Sequence, residues 1–278
     1  MRVAVTGASG FVGRHAVRAL RARGADVVAL SRHPQRIDDP AVLPVIFDIT
    51  RAGADAFERI GRPDALLHLA WGGLPDYRAA THLEHELPCH ARFLEHCVRG
   101  GLAQLVVAGT CLEYGMQEGE LDESMVAAPI VAYARAKEAL RQRAAALSDE
   151  LGSGLGWIRL FYLFGDGQSP TSLYQQLRAA VASGAPRFRM SPGDQIRDFL
   201  SIETAAAKVA GLVMAHPDAG IVNLCSGRPV AVADAVRGWL REWGANLDLD
   251  LGALPYPDYE PFAFWGSTRR LDALPVTP

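Results

Sequence analysis

Short apolar runs alternate with longer amphipathic stretches through the first half of the chain. The apolar runs are RVAVTG, ADVVALS, LPVIFD, DALLHLA and AQLVVAG, and the stretches between them carry apolar residues at helical spacing. Strands that alternate with helices are typical of parallel β-α-β units, whose strands are buried on both faces. We therefore predict an α/β fold built on a doubly wound parallel sheet of the Rossmann type.

Two of the predicted helices end at glycines. The first runs from roughly Gly10 to Arg23 and stops before Gly24, and the second, VAYARAKEALRQRAAALSDEL, closes at Gly152. Glycine suits the position after a helix because it adopts the left-handed conformation without steric cost. These two helices are the best-defined elements of the pattern.

The regular alternation stops at about residue 164. Beyond it the chain is rich in glycine, proline and aromatic residues, as in FGDGQSP and PYPDYEPFAFWG, although a helical ETAAAKVAGLVMAH and a strand-like IVNLCSG interrupt this part. We predict a dinucleotide-binding Rossmann domain at 1–164, joined by 198–226. A smaller α+β substrate-binding lobe is predicted at 165–278, formed mainly by 165–197 and 227–278.

Composition and charge exclude several classes of protein. The chain has 278 residues, of which 49% are hydrophobic, and a formal net charge of -3, so nothing favours nucleic acid or an anionic membrane as partner. It shows neither a signal-peptide pattern nor an apolar run long enough to span a membrane, and we expect a soluble, cytoplasmic protein. Its 4 cysteines form no Cys-x-x-Cys pair, which indicates reduced thiols.

A glycine-rich loop follows the first predicted strand and leads into the first helix. Glycines at this place allow a tight turn and a close approach of the backbone to a pyrophosphate, while the helix N-terminus supplies unpaired N–H groups. A glycine triplet in this context predicts dinucleotide binding rather than a purely structural turn. The residues expected to contact the dinucleotide are Gly7, Ser9, Gly10, Phe11, Val12 and Gly13.

The end of the second strand indicates which dinucleotide is bound. NAD sites usually have Asp or Glu there to accept from the ribose 2′-OH, whereas this chain has Ser31 and Arg32. Because Arg32 would attract a 2′-phosphate, we favour NADP(H) over NAD(H); the alternative is that Arg32 stacks on adenine or faces solvent. Asp48, after the third strand, is then free to accept from the adenine amine. The remaining cofactor contacts are expected from Ile49, Leu69, Ala70, Tyr133 and Lys137.

A tyrosine and a lysine lie four residues apart at the start of a helix. Tyr133 and Lys137 in VAYARAKEAL therefore share one helix face. A tyrosine has a pKa of about 10, and an adjacent ammonium lowers it by favouring the phenolate. This spacing suits proton exchange with a substrate near neutral pH.

These motifs occur in the order of a known family. TGASGFVG, FDIT, HLAW, GTCLEYG, YARAK, IRLFYLFGDGQ, IRDFLSIE and VNLCSG follow one another along essentially the whole chain. The sequence resembles the extended short-chain dehydrogenase/reductase family, which contains the nucleotide-sugar epimerases, dehydratases and reductases. The resemblance implies that Thr110 completes a catalytic triad with Tyr133 and Lys137, and that Arg197 binds the pyrophosphate of a sugar nucleotide. It also implies a homodimer.

The departures from the family pattern are informative. Dehydratases of the family carry Asp-Glu after the triad threonine, whereas Cys111 and Leu112 stand here, so an elimination reaction is disfavoured. Glu86 and Tyr162 stand where family members often have asparagine, which puts the usual proton relay and one nucleotide contact in doubt. The sequence assigns no role to Glu113.

A narrower resemblance is to the 4-ketoreductases of dTDP-4-keto-6-deoxyhexoses, a group that includes dTDP-6-deoxy-L-talose 4-dehydrogenases and acts in deoxysugar biosynthesis for cell-surface polysaccharides. It implies that NADPH gives hydride to C4 of the keto sugar while Tyr133 protonates the developing alkoxide. The expected substrate contacts are Trp71, Thr110, Leu112, Tyr162 and Arg197. Two alternatives stay open: a 4-epimerase that keeps its nicotinamide bound, and a non-catalytic NADP-binding sensor.

Four further patterns concern the histidines of THLEHELPCHARFLEHC, Cys111, Trp71 and the C-terminal aromatic residues. His82, His85, Cys89 and His96 follow one helical face, but a straight stripe about 20 Å long cannot converge on a metal ion, so we predict no metal and a packed or intersubunit helix. Cys111 has no basic partner and is not predicted to be a nucleophile. Trp71 forms either a wall of the sugar pocket or ordinary core. Five C-terminal aromatic residues either stack on a nucleotide base or pack the small lobe, and packing is expected for most of them: Tyr256, Tyr259, Phe262, Phe264 and Trp265.

Overall fold

The computed structural model describes residues 1–37, 39, 42–215 and 217–274. The end of the predicted helix ETAAAKVAGLVMAH and residues 275–278 of the predicted lobe lie outside the described residues.

A seven-stranded parallel sheet forms the centre of the molecule, with strand order β12-β7-β5-β4-β1-β2-β3. This arrangement confirms the predicted fold class. The strands are β1 (Arg2–Thr6), β2 (Asp26–Ser31), β3 (Leu43–Ile46), β4 (Ala65–His68), β5 (Gln104–Thr110), β7 (Gly154–Leu160) and β12 (Gly220–Leu224).

Helices cover both faces of the sheet because successive strand residues point to opposite sides. Val3 and Val5 of β1 pack with α1 and α6 on one face, whereas Ala4 packs with α3 and α4 on the other. The helices are α1 (Phe11–Ala22), α2 (Ala56–Arg59), α3 (Leu87–Arg99), α4 (Ala132–Leu151), α5 (Leu173–Ala182), α6 (Ile202–Ala215), α7 (Val232–Glu242) and α8 (Arg269–Ala273). A π-helical segment, His82–Glu86, leads directly into α3.

Shorter strands pair outside the main sheet. They are β6 (Gly119–Leu121) with β15 (Phe264–Gly266), β8 (Tyr162–Phe164) with β11 (Phe199–Ser201), β9 (Arg187–Met190) with β14 (Asp248–Leu251), and β10 (Ile196–Arg197) with β13 (Val230–Ala231). A separate apolar core joins α5, β9 and α7 through Leu177, Phe188, Val236 and Trp239. The pairing of β15 with β6 brings the C-terminal part of the chain back to the segment that follows β5.

The register of the central strands sets the position of the candidate site. Thr6 pairs with His68, and His68 pairs with Val107, so β1, β4 and β5 end at the same edge of the sheet. In open parallel sheets ligands bind outside this carboxyl edge. The glycine loop, the loop after β4 and the turn after β5 therefore meet there.

Candidate active site

The glycine loop has the geometry of a pyrophosphate site. Helix α1 begins after Gly10 with no side-chain cap and no acidic residue in its first turn, which leaves its first N–H groups open to an anion. A Cβ atom on Gly13 would lie 2.1 Å from the carbonyl oxygen of Gly7, so only glycine allows this approach of helix to loop. Ser9, Phe11 and Val12 lie in the same loop, and these features fit a dinucleotide.

The corner beside this loop is basic. Ser9 and Ser31 join their hydroxyls at 2.8 Å, and Arg32 is exposed directly after β2. Arg36 lines a small cavity next to Ala8, together with two arginines of α1. Sequence reasoning missed Arg36, although its place four residues after Arg32 in SRHPQR was a readable signal.

The other predicted cofactor residues follow β3 and β4. Asp48 Oδ1 accepts from the backbone N–H and the hydroxyl of Thr50, at 3.0 and 2.8 Å, and so caps the turn that begins at Ile49. The N–H groups of Leu69 and Ala70 donate to Thr6 Oγ1 at 3.1 and 3.2 Å. Asp48 therefore has a structural task besides the expected contact with adenine.

The three triad residues converge beside the glycine loop. Thr110 ends β5, its Oγ1 accepts from the N–H of Leu112 at 3.3 Å, and its hydroxyl bonds to the Tyr133 phenol. Lys137 lies one turn along α4 and donates from Nζ to the carbonyl oxygen of Ala108 at 2.8 Å. All three side chains are buried. Two hydroxyls therefore face the same small space, with an ammonium behind them.

The ionisation of the triad differs from the sequence expectation. Burial raises the pKa of Tyr133 well above its usual value, and the hydrogen bond from Thr110 offsets this only in part. The net lowering expected from Lys137, whose Nζ lies 5.9 Å from the centroid of the Tyr133 ring, does not occur because burial outweighs it. Burial lowers the pKa of Lys137 to about 7, against the opposing effects of Glu113 and Glu86. Tyr133 is therefore protonated at neutral pH.

Trp71 lies behind Lys137. Its ring centroid is 4.1 Å from Lys137 Nζ, and its other close neighbours are His90, which stacks on it, and His82, which accepts from its indole N–H. Trp71 is not among the described residues that line the cavity beside Thr110. Trp71 packs against the core, as the second alternative expected, and it also contacts the ammonium of Lys137.

A cavity of about 150 Å³ opens beside the two hydroxyls. The predicted residues Leu112 and Tyr162 line it. Sequence reasoning missed several further lining residues, among them Leu74 and Tyr77 in the loop after β4 and Glu260 in a loop far along the chain. The cavity is large enough for part of a sugar ring.

Arg197 lies next to this cavity but is already paired. Its side chain is 2% exposed, Nη2 bonds to Glu260 Oε2 at 3.0 Å, and Nη1 donates to the carbonyl oxygens of Ile196 and Phe262. The rings of Phe264 and Tyr162 flank the guanidinium. A diphosphate would have to displace Glu260 to reach it.

The C-terminal aromatic residues do not all pack the small lobe as predicted. Phe264 packs with Cys111 and Phe161 beside the turn after β5, because β15 pairs with β6. Tyr259 packs against Tyr77, with ring centroids 5.6 Å apart. This segment therefore helps to close the candidate site.

Glu113 holds the turn that follows Thr110. Its carboxylate is fully buried and accepts from the N–H of Thr110 at 2.9 Å, from Trp157 Nε1 at 3.1 Å and from Arg159 Nε at 2.8 Å. Burial raises the pKa of the Cys111 thiol, so Cys111 is inert and supplies no acid or base. The turn thus presents Thr110 without an acid–base pair beside it.

The described residues give no sign of a metal site or a membrane span. They contain no group of three or more His, Cys, Asp or Glu side chains that could hold a metal ion. His82 bonds to Trp71 and the carbonyl oxygen of Asp76, and His85 contacts Glu86. Within these same residues no helix is both long and apolar enough to cross a membrane.

Comparisons with known proteins agree with this geometry. The chain is 27% identical over 275 residues to a dTDP-6-deoxy-L-talose 4-dehydrogenase (NAD(+)) of Aggregatibacter actinomycetemcomitans, covering 96% of this chain and 100% of that protein. It is 30% identical over 274 residues to a dTDP-6-deoxy-L-talose 4-dehydrogenase (NAD(P)(+)) of Kitasatospora kifunensis, covering 92% and 83%. The structure of a UDP-glucose 4-epimerase complex with NAD from Thermus thermophilus superposes with a TM-score of 0.83 and 22% identity, over 100% of this chain and 94% of that one, which shows the shared fold.

The model of the NAD dependent epimerase/dehydratase family matches residues 3–225. This match confirms the family predicted from the motifs and, with it, the predicted class of NAD-dependent oxidoreductases and epimerases. The chain belongs to the NAD dependent epimerase/dehydratase family.

Proposed function

We propose that this protein is an NADPH-dependent reductase of the C4 ketone of a dTDP-4-keto-6-deoxyhexose. The observation that carries the proposal is the convergence of the Thr110 and Tyr133 hydroxyls on one cavity, beside a turn whose next two residues, Cys111 and Leu112, are neither acids nor bases. A reduction needs a proton donor and a partner for the growing negative charge, whereas an elimination also needs a separate acid–base pair. Similarity to two dTDP-6-deoxy-L-talose 4-dehydrogenases supports this substrate class.

The chain's own residues supply the proton and stabilise the charge. The bound nicotinamide would supply the hydride. Tyr133, kept protonated by its burial, donates its proton to the substrate oxygen, and the Thr110 hydroxyl hydrogen-bonds the same oxygen as negative charge grows there. The ammonium of Lys137 stabilises the phenolate left on Tyr133, and its remaining N–H groups suit ribose hydroxyls.

We propose NADPH rather than NADH as the reductant because of the charge around the second strand. Arg32 is exposed where NAD sites carry an acid, and Arg36 lines a small cavity beside Ala8, together with Arg14, Arg18 and Asp39. Two relatives are named for NAD(+) and for NAD(P)(+), so the relatives do not share one preference.

The proposed substrate and assembly rest on the remaining site residues. Arg197 would bind the diphosphate after Glu260 moves away, and Leu112 and Tyr162 would contact the sugar. We also propose a homodimer, formed through the face of α3 and α4 that lies away from the sheet.

A direct assay tests the function. Purified protein is mixed with NADPH and dTDP-4-keto-6-deoxyglucose, with and without a sugar 3,5-epimerase, and NADPH oxidation is followed. We expect oxidation in at least one condition and none with dTDP-glucose, which has no ketone. Absence of oxidation in both conditions would rule out the reductase as stated.

The same assay separates the alternatives. A 4-epimerase returns the hydride to its sugar, so it would interconvert sugars without net loss of NADPH. A non-catalytic sensor would bind NADPH and change no sugar at all.

A further inference from the structure

A buried chain of hydrogen bonds runs beneath the loop that follows β4. Thr6 Oγ1 bonds to His68 Nδ1 at 3.0 Å, His68 Nε2 bonds to His90 Nδ1 at 2.7 Å, and His90 Nε2 bonds to Glu86 Oε2 at 3.1 Å. Both imidazoles are buried. At the far end Glu86 also accepts from the N–H of Gly72 at 2.8 Å. The chain therefore joins both ends of the loop that carries Trp71.

The direction of every bond in this chain follows from counting donors. Thr6 Oγ1 already accepts from two backbone N–H groups, those of Leu69 and Ala70, so its own proton goes to His68 Nδ1. His68 then carries its hydrogen on Nε2 and donates to His90, which in turn carries its hydrogen on Nε2 and donates to Glu86. Two neutral imidazoles thus end on an ionised carboxylate.

The pKa shifts of these groups agree with that assignment. Burial lowers the pKa of both His68 and His90, which keeps the imidazoles neutral. The hydrogen bonds from His90 and Gly72 lower the pKa of Glu86 to about 2 despite its partial burial. The chain is therefore fixed in one protonation pattern at neutral pH.

This chain fixes the ring of Trp71. His90 stacks on the indole, with centroids 4.6 Å apart and planes at 23°. The indole N–H donates to His82 Nδ1 at 3.1 Å, and His82 Nε2 donates to the carbonyl oxygen of Asp76 at 2.7 Å. The ammonium of Lys137 lies 4.1 Å from the Trp71 ring centroid. Trp71 is therefore held by two histidines against the lysine of the triad.

We propose that Glu86 and His90 are positioning residues that hold Trp71 over the ammonium of Lys137, and that this stack keeps Lys137 charged. An aromatic face attracts a cation most strongly where water is excluded, and Lys137 is buried with one backbone acceptor, Ala108. The role of Lys137 in catalysis rests on the proposed function, but its contact with Trp71 does not.

Groups other than Trp71 also affect the charge of Lys137. The carboxylates of Glu113 and Glu86 favour its charge, and the phenol of Tyr133 lies on its own helix. The imidazoles of His68 and His90 would oppose that charge if they were protonated. Since burial brings the pKa of Lys137 down to about 7, loss of one favourable partner changes its charge in the neutral range.

Gly72 contacts the carboxylate at the end of this hydrogen-bond chain. A Cβ atom at this position would lie 2.7 Å from Glu86 Oε1. A larger residue here would push the Glu86 carboxylate away from this position.

The sequence provides a direct probe of Lys137. Lys137 and Lys208 are the only lysines among its 28 basic residues, so a protein labelled with ¹³Cε-lysine gives two NMR signals. A Lys208→Arg variant assigns them, and a pH titration gives the midpoint for Lys137 without any enzyme assay. The titration is run with and without NADPH.

Trp71→Leu tests the stack directly, whereas Glu86→Gln removes both the support of Trp71 and the direct attraction of the Glu86 carboxylate for Lys137. Removal of a group that favours the ammonium lowers the pKa of Lys137, so we expect its midpoint to fall by roughly 0.5 to 1 pH unit in each variant. Trp71→Phe, which keeps an aromatic face, should restore part of the shift. Glu84→Gln removes an exposed carboxylate of the same π-helical segment and should leave the midpoint unchanged.

A pH profile distinguishes this role from a merely structural one. If Lys137 must be charged, the alkaline limb of kcat/KM moves to lower pH by the same amount in Trp71→Leu and Glu86→Gln. A structural defect would instead lower kcat/KM at every pH. A Lys137 midpoint that is unchanged in both variants, or an Nδ1–H tautomer on His90 in ¹⁵N spectra, would overturn the proposal.

Failure of the proposed function would look different. A wild-type protein that reduces no keto sugar removes the pH profile but leaves the Lys137 titration and the histidine tautomers to be measured.

Discussion

At the residue scale, the position of Thr110 depends on one buried carboxylate. Glu113 accepts from the N–H of Thr110 and pairs with Arg159, whose side chain is 1% exposed. Burial raises the pKa of Glu113, and the ion pair with Arg159 offsets part of that rise. The triad hydroxyl is thus set by an ion pair that reaches across to β7.

Glu113→Gln should therefore be destabilising. The variant leaves the buried guanidinium of Arg159 without its nearest charge partner, and breaking a buried pair typically costs about 3 kcal/mol or more. Urea unfolding measures the loss. Glu120→Gln, which removes an exposed partner of Arg269, should cost less than about 1 kcal/mol; equal effects of the two variants would contradict this account of Glu113.

The proposed preference for NADPH depends on Arg32, also at the residue scale. We expect Arg32→Ala to raise the KM for NADPH by roughly 10-fold or more while that for NADH changes little, because a charged hydrogen bond to the 2′-phosphate is lost. Steady-state kinetics with both cofactors measure this. Arg62→Ala, at an exposed ion pair with Glu58, serves as control. A wild-type KM for NADH below that for NADPH would overturn the role of Arg32.

At the element scale, the histidine chain joins β1, β4 and α3 through groups that are neutral in the folded state. Because burial lowers the pKa of His68 and His90, the unfolded chain binds more protons below pH 6.5 than the folded one. The folded state therefore has its full stability above the pKa of histidine in the unfolded chain. It loses stability as the pH falls below that value, because protons then bind preferentially to the unfolded chain.

The free energy of unfolding should therefore decrease from pH 7 toward pH 5. Denaturant unfolding at several pH values measures the slope, and His90→Gln, which removes one of the two histidines, should make it shallower. An identical slope in wild type and His90→Gln would show that His90 does not titrate between the two states.

The segment before β15 carries Glu260, which pairs with the guanidinium of Arg197. In the proposed function a diphosphate takes the place of this carboxylate. We expect Glu260→Gln to lower the Kd for dTDP by several-fold, because a buried guanidinium without its carboxylate gains more from an anion. Calorimetric titration measures the Kd, with Asp258→Asn at an exposed ion pair as control. Unchanged or weaker binding in Glu260→Gln would place the diphosphate elsewhere.

The sequence predicted those parts of the site that local patterns determine. Gly13 and Thr110 lie next to strand ends, which a parallel sheet brings to one edge, and Tyr133 and Lys137 lie four residues apart on α4. The paired state of Arg197 was not predictable in the same way, because its partner comes from a distant loop whose position depends on the pairing of β15 with β6.

Trp71 and the direction of the Tyr133 pKa shift show a second limit. Which side of Lys137 an aromatic ring occupies depends on the stacking with His90 and the bond to His82, and neither contact follows from periodicity. The sequence likewise identified the ammonium next to Tyr133 but could not give the depth of burial that outweighs it.

At the scale of the whole molecule, the sheet and the C-terminal part of the chain form the walls of one cavity. The sheet edge supplies the glycine loop and the triad, while the segment containing Tyr259 and Glu260 lies on the other side. Two hydroxyls at one end of this cavity suit the proposed hydride transfer to a ketone. The proposed reduction therefore depends on the assembled molecule rather than on any single motif.

The transfer of deuterium from NADPH to the sugar tests this central claim most directly. With NADPH deuterated at both C4 positions of the nicotinamide and dTDP-4-keto-6-deoxyglucose as substrate, supplemented with the 3,5-epimerase where required, we expect one deuterium at C4 of the product sugar and one NADPH consumed per sugar. Tyr133→Phe should still bind NADPH and transfer none. A product without deuterium at C4, or sugar interconversion without loss of NADPH, would contradict the account.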